Sequence, residues 1–68
     1  MTTEYYGAII DENNNSITES EYMTYSAVCD WCAKKLRFYK NKKYTAAIYE
    51  SSYDEPEIIE YIEYEDVI

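Results

Sequence analysis

The chain has 68 residues and a formal net charge of −8, with fourteen acidic side chains, six basic ones and no histidine. This length predicts a single domain, residues 1–68. Nucleic acid and anionic lipid would repel a chain of this negative charge, so neither is expected as a direct ligand. Ten tyrosines and one tryptophan supply apolar area for a folded core. No segment resembles a secretory signal or a membrane span, and two cysteines suit a reducing compartment, so a cytoplasmic protein is predicted.

The N-terminal segment predicts a β-hairpin. Residues Glu4–Asp11 (EYYGAIID) are rich in aromatic and β-branched side chains, and the polar run 12–15 is typical of a turn. Ser16–Met23 alternates weakly and fits the returning strand. The letters SITE also match a capping box that would start a helix at Ser16. We prefer the hairpin because Thr24 is the better N-cap for the helical pattern that follows.

The next segment predicts an amphipathic helix over Tyr25–Tyr39. Its apolar residues recur at helical spacing, at Tyr25, Val28, Cys32, Leu36 and Tyr39. Basic residues crowd its C-terminal end, where they complement the helix dipole. Trp31 lies beside this stripe and is predicted to belong to the core.

Two further strands are predicted after a loop at 40–43, namely Tyr44–Ser51 and, beyond a turn at 52–56, Glu57–Val67. The predicted fold class is α+β, an antiparallel sheet of three or four strands with one helix packed on one face, in the order ββαββ, or βαββ if the first hairpin does not form. Alternation in the final strand groups Ile58, Ile62 and Tyr64 on one face and Ile59, Tyr61 and Val67 on the other. Because one helix covers one face, we expect an exposed binding surface or a homodimer.

Cys29 and Cys32 form a C-x-x-C pair within the predicted helix. A redox site would place such a pair at a helix N-terminus after a strand, and a structural zinc site needs four ligands. The chain has two cysteines and no histidine, so only a dimer would complete a zinc site. Packing of both thiols is the preferred interpretation, and no metal ion is predicted.

No enzymatic activity is predicted. Without histidine, the usual nucleophilic triads and the commonest group that titrates near neutral pH are missing. The single glycine, Gly7, excludes phosphate-binding loops. The acidic run Asp11–Asn15 lacks the spacing and the central glycine of an EF-hand. The sequence therefore predicts no catalytic residue and no cofactor.

Charge is segregated along the chain: all six basic residues lie between Lys34 and Lys43, and every charged side chain before or after that segment is acidic. Solubility explains part of this pattern. Alternate strand residues lie about 6.8 Å apart on one face, so Glu57, Glu63 and Glu65 are predicted to form a row of carboxylates that imitates a nucleic-acid backbone. The residues predicted to contact a basic protein partner are Glu57, Glu60, Tyr61, Glu63, Tyr64, Glu65 and Asp66.

In its size, its acidity, its use of Tyr, Glu, Ile and Asn, and its compact α+β pattern, the chain resembles, at the level of type, small phage-encoded inhibitors of host defence such as anti-CRISPR proteins and DNA mimics. The resemblance implies an inhibitor that acts in the host cytoplasm and occludes the nucleic-acid-binding surface of a host enzyme. Two alternatives remain open. One is a structural or assembly protein that forms a homodimer through its open sheet face, and the other is a metal or redox regulator that uses Cys29 and Cys32.

Overall fold

The computed structural model describes residues 3–51 and 55–68 and confirms an α+β fold, in which one helix packs against a four-stranded antiparallel sheet. Along the chain the elements are β1 (Glu4–Ile10), β2 (Ser16–Glu19), α1 (Tyr25–Tyr39), β3 (Thr45–Ser51), β4 (Glu57–Glu63) and a 3-10 helix (Tyr64–Asp66). Across the sheet the strands lie in the order β2-β1-β3-β4, so β1 and β3 are central. The turn predicted at 52–56 lies partly outside the described residues.

The first hairpin forms because its turn is held by an aspartate. The Asp11 carboxylate accepts hydrogen bonds from the backbone N–H groups of Asn13 and Asn15, each at 2.9 Å. The bond from Asn15, followed by that from Asn13, lowers the pKa of Asp11. Asn14 takes the left-handed conformation that asparagine tolerates, with φ 65°. A strand and not a helix starts at Ser16, so the capping-box alternative is wrong.

Helix α1 begins and ends at the predicted residues. The side-chain oxygen of Thr24 accepts a hydrogen bond from the N–H of Ala27 at 3.3 Å, as an N-cap residue does. At the other end Lys40 has φ 54° and ψ 38°, and its N–H donates to the carbonyl of Leu36. This left-handed residue stops the helix in the position usually taken by glycine.

The core lies between α1 and the central strands. Three helix residues are buried against three strand residues: Val28, Cys32 and Leu36 against Ile9, Ala46 and Ile48. Trp31 is half-buried and packs against the edge of this cluster. The apolar stripe identified in the sequence is therefore the face that meets the sheet. Within residues 3–51 and 55–68, no helix is long and apolar enough to cross a membrane.

The second strand is shorter than predicted. β2 ends at Glu19, not at Met23, and Met23 returns to the sheet through a single pair with Tyr5. Ser20, which follows the last residue of β2, makes two hydrogen bonds of 2.8 Å with Gly7. Its hydroxyl accepts from the N–H of Gly7, and its N–H donates to the carbonyl of Gly7. The serine side chain thus satisfies a backbone donor at the point where the strand leaves the sheet.

The final strand is also shorter than predicted. It ends at Glu63, and Tyr64–Asp66 form a 3-10 helix in place of the strand expected to reach Val67. The Asp66 carboxylate accepts a hydrogen bond from the N–H of Glu63 at 3.2 Å, which completes a capping box at this point. Local side-chain caps of this kind compete with the ladder of a sheet.

A β-bulge in β4 changes which side chains share a face. Ile58 pairs with Tyr49 and Glu60 pairs with Ile48, so Ile59 has no partner in β3. Cross-strand partners lie on the same face, and Ile58 therefore lies on the face away from α1, while Ile62 packs against the core. The prediction that grouped Ile58 with Ile62 is wrong because a bulge shifts the period-two alternation by one residue.

Candidate functional site

The face of the sheet opposite α1 is here called the open face, because among the described residues no helix covers it. The core residues Ile9, Ala46 and Ile48 define the opposite face, and the strand register assigns the rest. Side chains on the open face are Glu4, Tyr6, Ala8, Ile10, Ser16, Glu19, Thr45, Ala47, Tyr49, Ser51, Ile58, Tyr61 and Glu63.

Tyrosines form a packed layer on the open face. The rings of Tyr6 and Tyr49, which are cross-strand partners, stack in parallel with their centroids 4.6 Å apart. Tyr22 packs edge-on against Tyr6 at 5.4 Å. Burial, then the neighbouring Tyr49 and Glu19, raise the pKa of Tyr6. Such aromatic pairs contribute about 0.5–1.5 kcal/mol to stability beyond the burial of their surface, so this layer helps to hold the side chains of the open face together.

The alanines of the open face show how closely its side chains pack. Ala8 and Ala47 are cross-strand partners, and they are 1% and 0% exposed. Larger side chains around them must shield them, since α1 lies on the other face. The accessible surface of the open face therefore excludes these alanines and is formed by its tyrosine, isoleucine, glutamate, serine and threonine side chains.

The charge on the open face is wholly negative within the part of the chain that the structure describes. Glu4, Glu19 and Glu63 lie on it, and no lysine or arginine does. The six bases lie on α1 and in the loop that follows it. Two of them make exposed ion pairs, Lys34 with Asp30 at 3.0 Å and Lys43 with Glu12 at 3.8 Å. Exposed pairs of this kind contribute little to stability. The charged side chains can therefore exchange these pairs for contacts with a partner at little cost in stability.

The predicted row of carboxylates does not form. Glu57 pairs with Glu50 and Glu63 with Thr45, and these partners lie on opposite faces of β3. Glu65 lies in the 3-10 helix, outside the sheet. The bulge at Ile59 and the early end of β4 are the two causes. Of the three glutamates in the expected row, only Glu63 is on the open face.

Three of the seven residues predicted to contact a partner hold the fold. Glu60 is half-buried and accepts a hydrogen bond from the hydroxyl of Tyr25. This hydrogen bond, and a further one between Tyr25 and Cys29, raise the pKa of Tyr25. Tyr64 packs against the core, and Asp66 caps the 3-10 helix. The exposed members of the predicted set are Glu57, Tyr61, Glu63, Glu65 and Asp66.

Sequence reasoning missed Tyr6, Tyr22, Tyr49 and Glu19 as members of this surface. Alternation alone does not say which face a helix covers. A signal was nevertheless present in Gly7, because a glycine inside a strand often marks the close approach of another backbone. The residues on either side of Gly7 lie on the face away from the helix, which places Tyr6 on the open face.

Strand β4 forms one edge of the sheet and pairs only with β3 among the described strands. Three apolar side chains are exposed along it: Ile58 at 40%, Ile59 at 45% and Tyr61 at 58%. Glu60 lies between Ile59 and Tyr61, and Glu57 and Glu63 lie at the two ends of the strand. The edge therefore combines exposed apolar area with negative charge.

The C-x-x-C pair has the environment of packed thiols. Cys29 is half-buried, Cys32 is buried, and neither is in a disulfide. Burial, and next the neighbouring Cys29, raise the pKa of Cys32 to about 12, whereas a reactive cysteine needs a lowered pKa. Over residues 3–51 and 55–68, no three cysteine, aspartate or glutamate side chains are arranged to hold a metal ion.

No family model matches the chain, and neither a curated protein nor a solved structure gives a match. The function is therefore inferred from the geometry and the charge of the open face and of the β4 edge.

Proposed function

We propose that this chain is an acidic protein-interaction module that occludes a basic, nucleic-acid-binding surface of an enzyme, in the manner of a phage-type inhibitor. The observation that carries the proposal is the composition of the open face. It presents tyrosine and isoleucine side chains together with Glu4, Glu19 and Glu63, and it includes no base among the described residues.

The two kinds of side chain have different roles in this mechanism. Carboxylates attract a basic surface over a distance of about 8 Å at physiological ionic strength, the length over which salt screens exposed charges. They raise the rate of association more than the final affinity. Exposed aromatic side chains such as Tyr61 then supply contact area that loses little conformational entropy on binding. Binding blocks the partner by steric and electrostatic occlusion, without turnover.

Formation of a homodimer through the open face is the second candidate, and the exposed apolar side chains Ile58 and Tyr61 favour it. Contact between two copies of that face would bring their carboxylates together, with no base on either side among the residues described. Like charges that face each other oppose association. We therefore prefer a basic partner to a second copy.

The environment of the cysteines gives no support to a redox or metal-linked regulator. Cys32 is buried with a raised pKa, and among the described residues no three cysteine, aspartate or glutamate side chains are arranged to hold a metal ion. Packing is the function that we propose for both thiols.

The test is capture of a partner on the immobilised full chain, followed by competition. At low ionic strength a bacterial lysate supplies candidate enzymes, and the captured protein is expected to bind nucleic acid and to be displaced by added duplex DNA or RNA. A captured enzyme that nucleic acid does not displace would contradict occlusion of its nucleic-acid site.

Variants connect the capture to the open face. Glu19→Gln with Glu63→Gln removes two carboxylates from that face, and it should slow association with the captured enzyme by about tenfold or more at low salt. The matched control is Glu12→Gln with Asp30→Asn, which makes the same change in net charge away from the open face. Equal slowing by both pairs would show that net charge alone attracts the partner.

A further inference from the structure

The two edges of the sheet differ in their capacity to accept another strand. β2 is four residues long and has an irregular register with β1 between Ile9 and Ile10, and β4 has an irregularity of its own at Ile59. The two edges therefore differ in length, and a short edge is the poorer template for pairing. β4 is seven residues long, and in the part of the chain that the structure describes nothing pairs with its outer side. An edge of an antiparallel sheet directs unpaired N–H and C=O groups outward at alternate residues.

The side chains of β4 make this edge unusual. Proteins generally keep large apolar side chains away from an unpaired edge, because such an edge promotes aggregation. Here Ile58, Ile59 and Tyr61 are all exposed along it. Exposed apolar area of this kind indicates a binding surface.

The glutamates of β4 oppose pairing with a second copy. In the antiparallel register that pairs all of Glu57–Glu63 with itself, Glu60 would face Glu60 and Glu57 would face Glu63. Like charges directly opposite each other destabilise a pair of strands, and opposite charges stabilise it. The same three positions therefore favour a strand that carries basic side chains.

We infer that β4 receives an extended, basic segment of the partner protein as a fifth strand of the sheet. This inference rests on the proposed function, and it names the element at which the partner docks. Backbone hydrogen bonds to the outer side of β4 supply affinity, as in other cases of strand addition. Basic side chains of the added strand lie opposite Glu57 and Glu63, and its apolar side chains lie beside Ile58 and Tyr61.

A synthetic peptide tests the inference directly. The probe carries two lysines at each end of a Val-Thr-Val-Thr-Val centre, a palindromic pattern that suits either strand direction. The control peptide has the same side chains and charge, but all five amides of its Val-Thr-Val-Thr-Val centre are N-methylated, which removes the hydrogen-bond donors from both of its edges. We expect the unmethylated peptide to bind at least about tenfold more tightly, and to slow the hydrogen exchange of outward-facing amides in β4.

A pair of charge-reversed variants locates the site. Glu57→Lys at the β4 edge should weaken binding of the unmethylated peptide about tenfold. The control is Glu21→Lys, which makes the same change of charge at an exposed residue beyond β2 and should change binding less than about threefold. Both residues are exposed, so neither variant is expected to unfold the chain.

The outcomes separate the inference from the function on which it rests. Equal affinity for the two peptides, or exchange protection at β2, would overturn pairing at β4 and leave an acidic face that binds basic partners. Absence of binding by either peptide would also overturn the inference, and the capture experiment would then decide the proposed function separately. Capture of an enzyme together with tight binding of the unmethylated peptide supports both.

Discussion

Gly7 of β1 lies so close to Cys32 of α1 that a Cβ on Gly7 would stand 2.8 Å from the Cys32 sulfur. The same Cβ would stand 3.0 Å from the ring of Trp31. The only glycine of the chain is thus the position over which the helix approaches the sheet.

Gly7→Ala should therefore destabilise the fold by about 1–3 kcal/mol, as overpacking of a tight core does. Urea denaturation measures this free energy. The double variant Gly7→Ala with Cys32→Ala removes the sulfur that the new methyl group would meet. Its loss of stability should be smaller than the sum of the two single losses. Additive losses would show that the sulfur does not set the distance between helix and strand.

Trp31→Ala should cost about 2–3 kcal/mol, less than the 3–5 kcal/mol typical of a fully buried aromatic residue, because the indole is half-buried at the edge of the core. The matched control is Phe38→Ala on the same helix. Phe38 is 74% exposed, and its loss should change the free energy of unfolding by less than about 0.5 kcal/mol. Similar effects of the two substitutions in thermal or urea denaturation would contradict the position of Trp31.

The stability of the chain should fall above pH 9 because of Cys32. Its pKa rises from the ordinary value of 9.0 to about 12 on folding. Between these values the unfolded chain has lost the proton that the folded chain keeps, so the free energy of unfolding decreases as the pH rises. Below pH 9 both states hold the proton and the contribution of Cys32 is constant.

Urea denaturation at pH 7, 8, 9 and 10 measures this decline. In Cys32→Ala the decline in stability should begin about one pH unit higher, at the pH where tyrosines of the unfolded chain ionise. Tyrosines then cause the decline, because folding also raises the pKa values of Tyr6 and Tyr25. The same onset in Cys32→Ala as in the parent would assign the decline to other groups.

Lys40→Gly should stabilise the chain by about 0.5–1 kcal/mol, since glycine adopts left-handed φ without the steric cost that a Cβ imposes. Lys40 has φ 54° at the end of α1. Asn14→Gly provides the comparison, because Asn14 has φ 65° but belongs to the residue type that tolerates this conformation best after glycine. Its gain in melting temperature should be the smaller of the two.

The helix was predictable from the sequence because its determinants are local. Thr24 caps it, the spacing of Val28, Cys32 and Leu36 defines its buried stripe, and both signals lie within fifteen residues of each other. The assignment of four strands succeeded for a similar reason, since the turn at Asp11–Asn15 and the aromatic and β-branched runs are local features.

The candidate site was less predictable because its arrangement depends on partners distant in sequence. The bulge at Ile59 is defined only by the pairing of β4 with β3. The stacking of Tyr6 on Tyr49 joins residues from different hairpins. The 3-10 helix after Glu63 replaces a strand whose composition still favours extension, because the Asp66 cap competes with the ladder. Exposed Tyr61 and Glu63 are the members of the predicted contact set that lie on the open face.

The separation of bases from acids also gives the chain an electric dipole moment in addition to its net charge. The lysines and the single arginine lie on α1 and in the loop after it. Among the described residues, the charged side chains of the open face are all carboxylates. In the field of a positively charged enzyme such a molecule experiences a torque as well as an attraction. The molecule rotates before contact, so that its sheet faces the enzyme and its helix lies on the far side. A larger fraction of collisions then begins with the open face towards the partner.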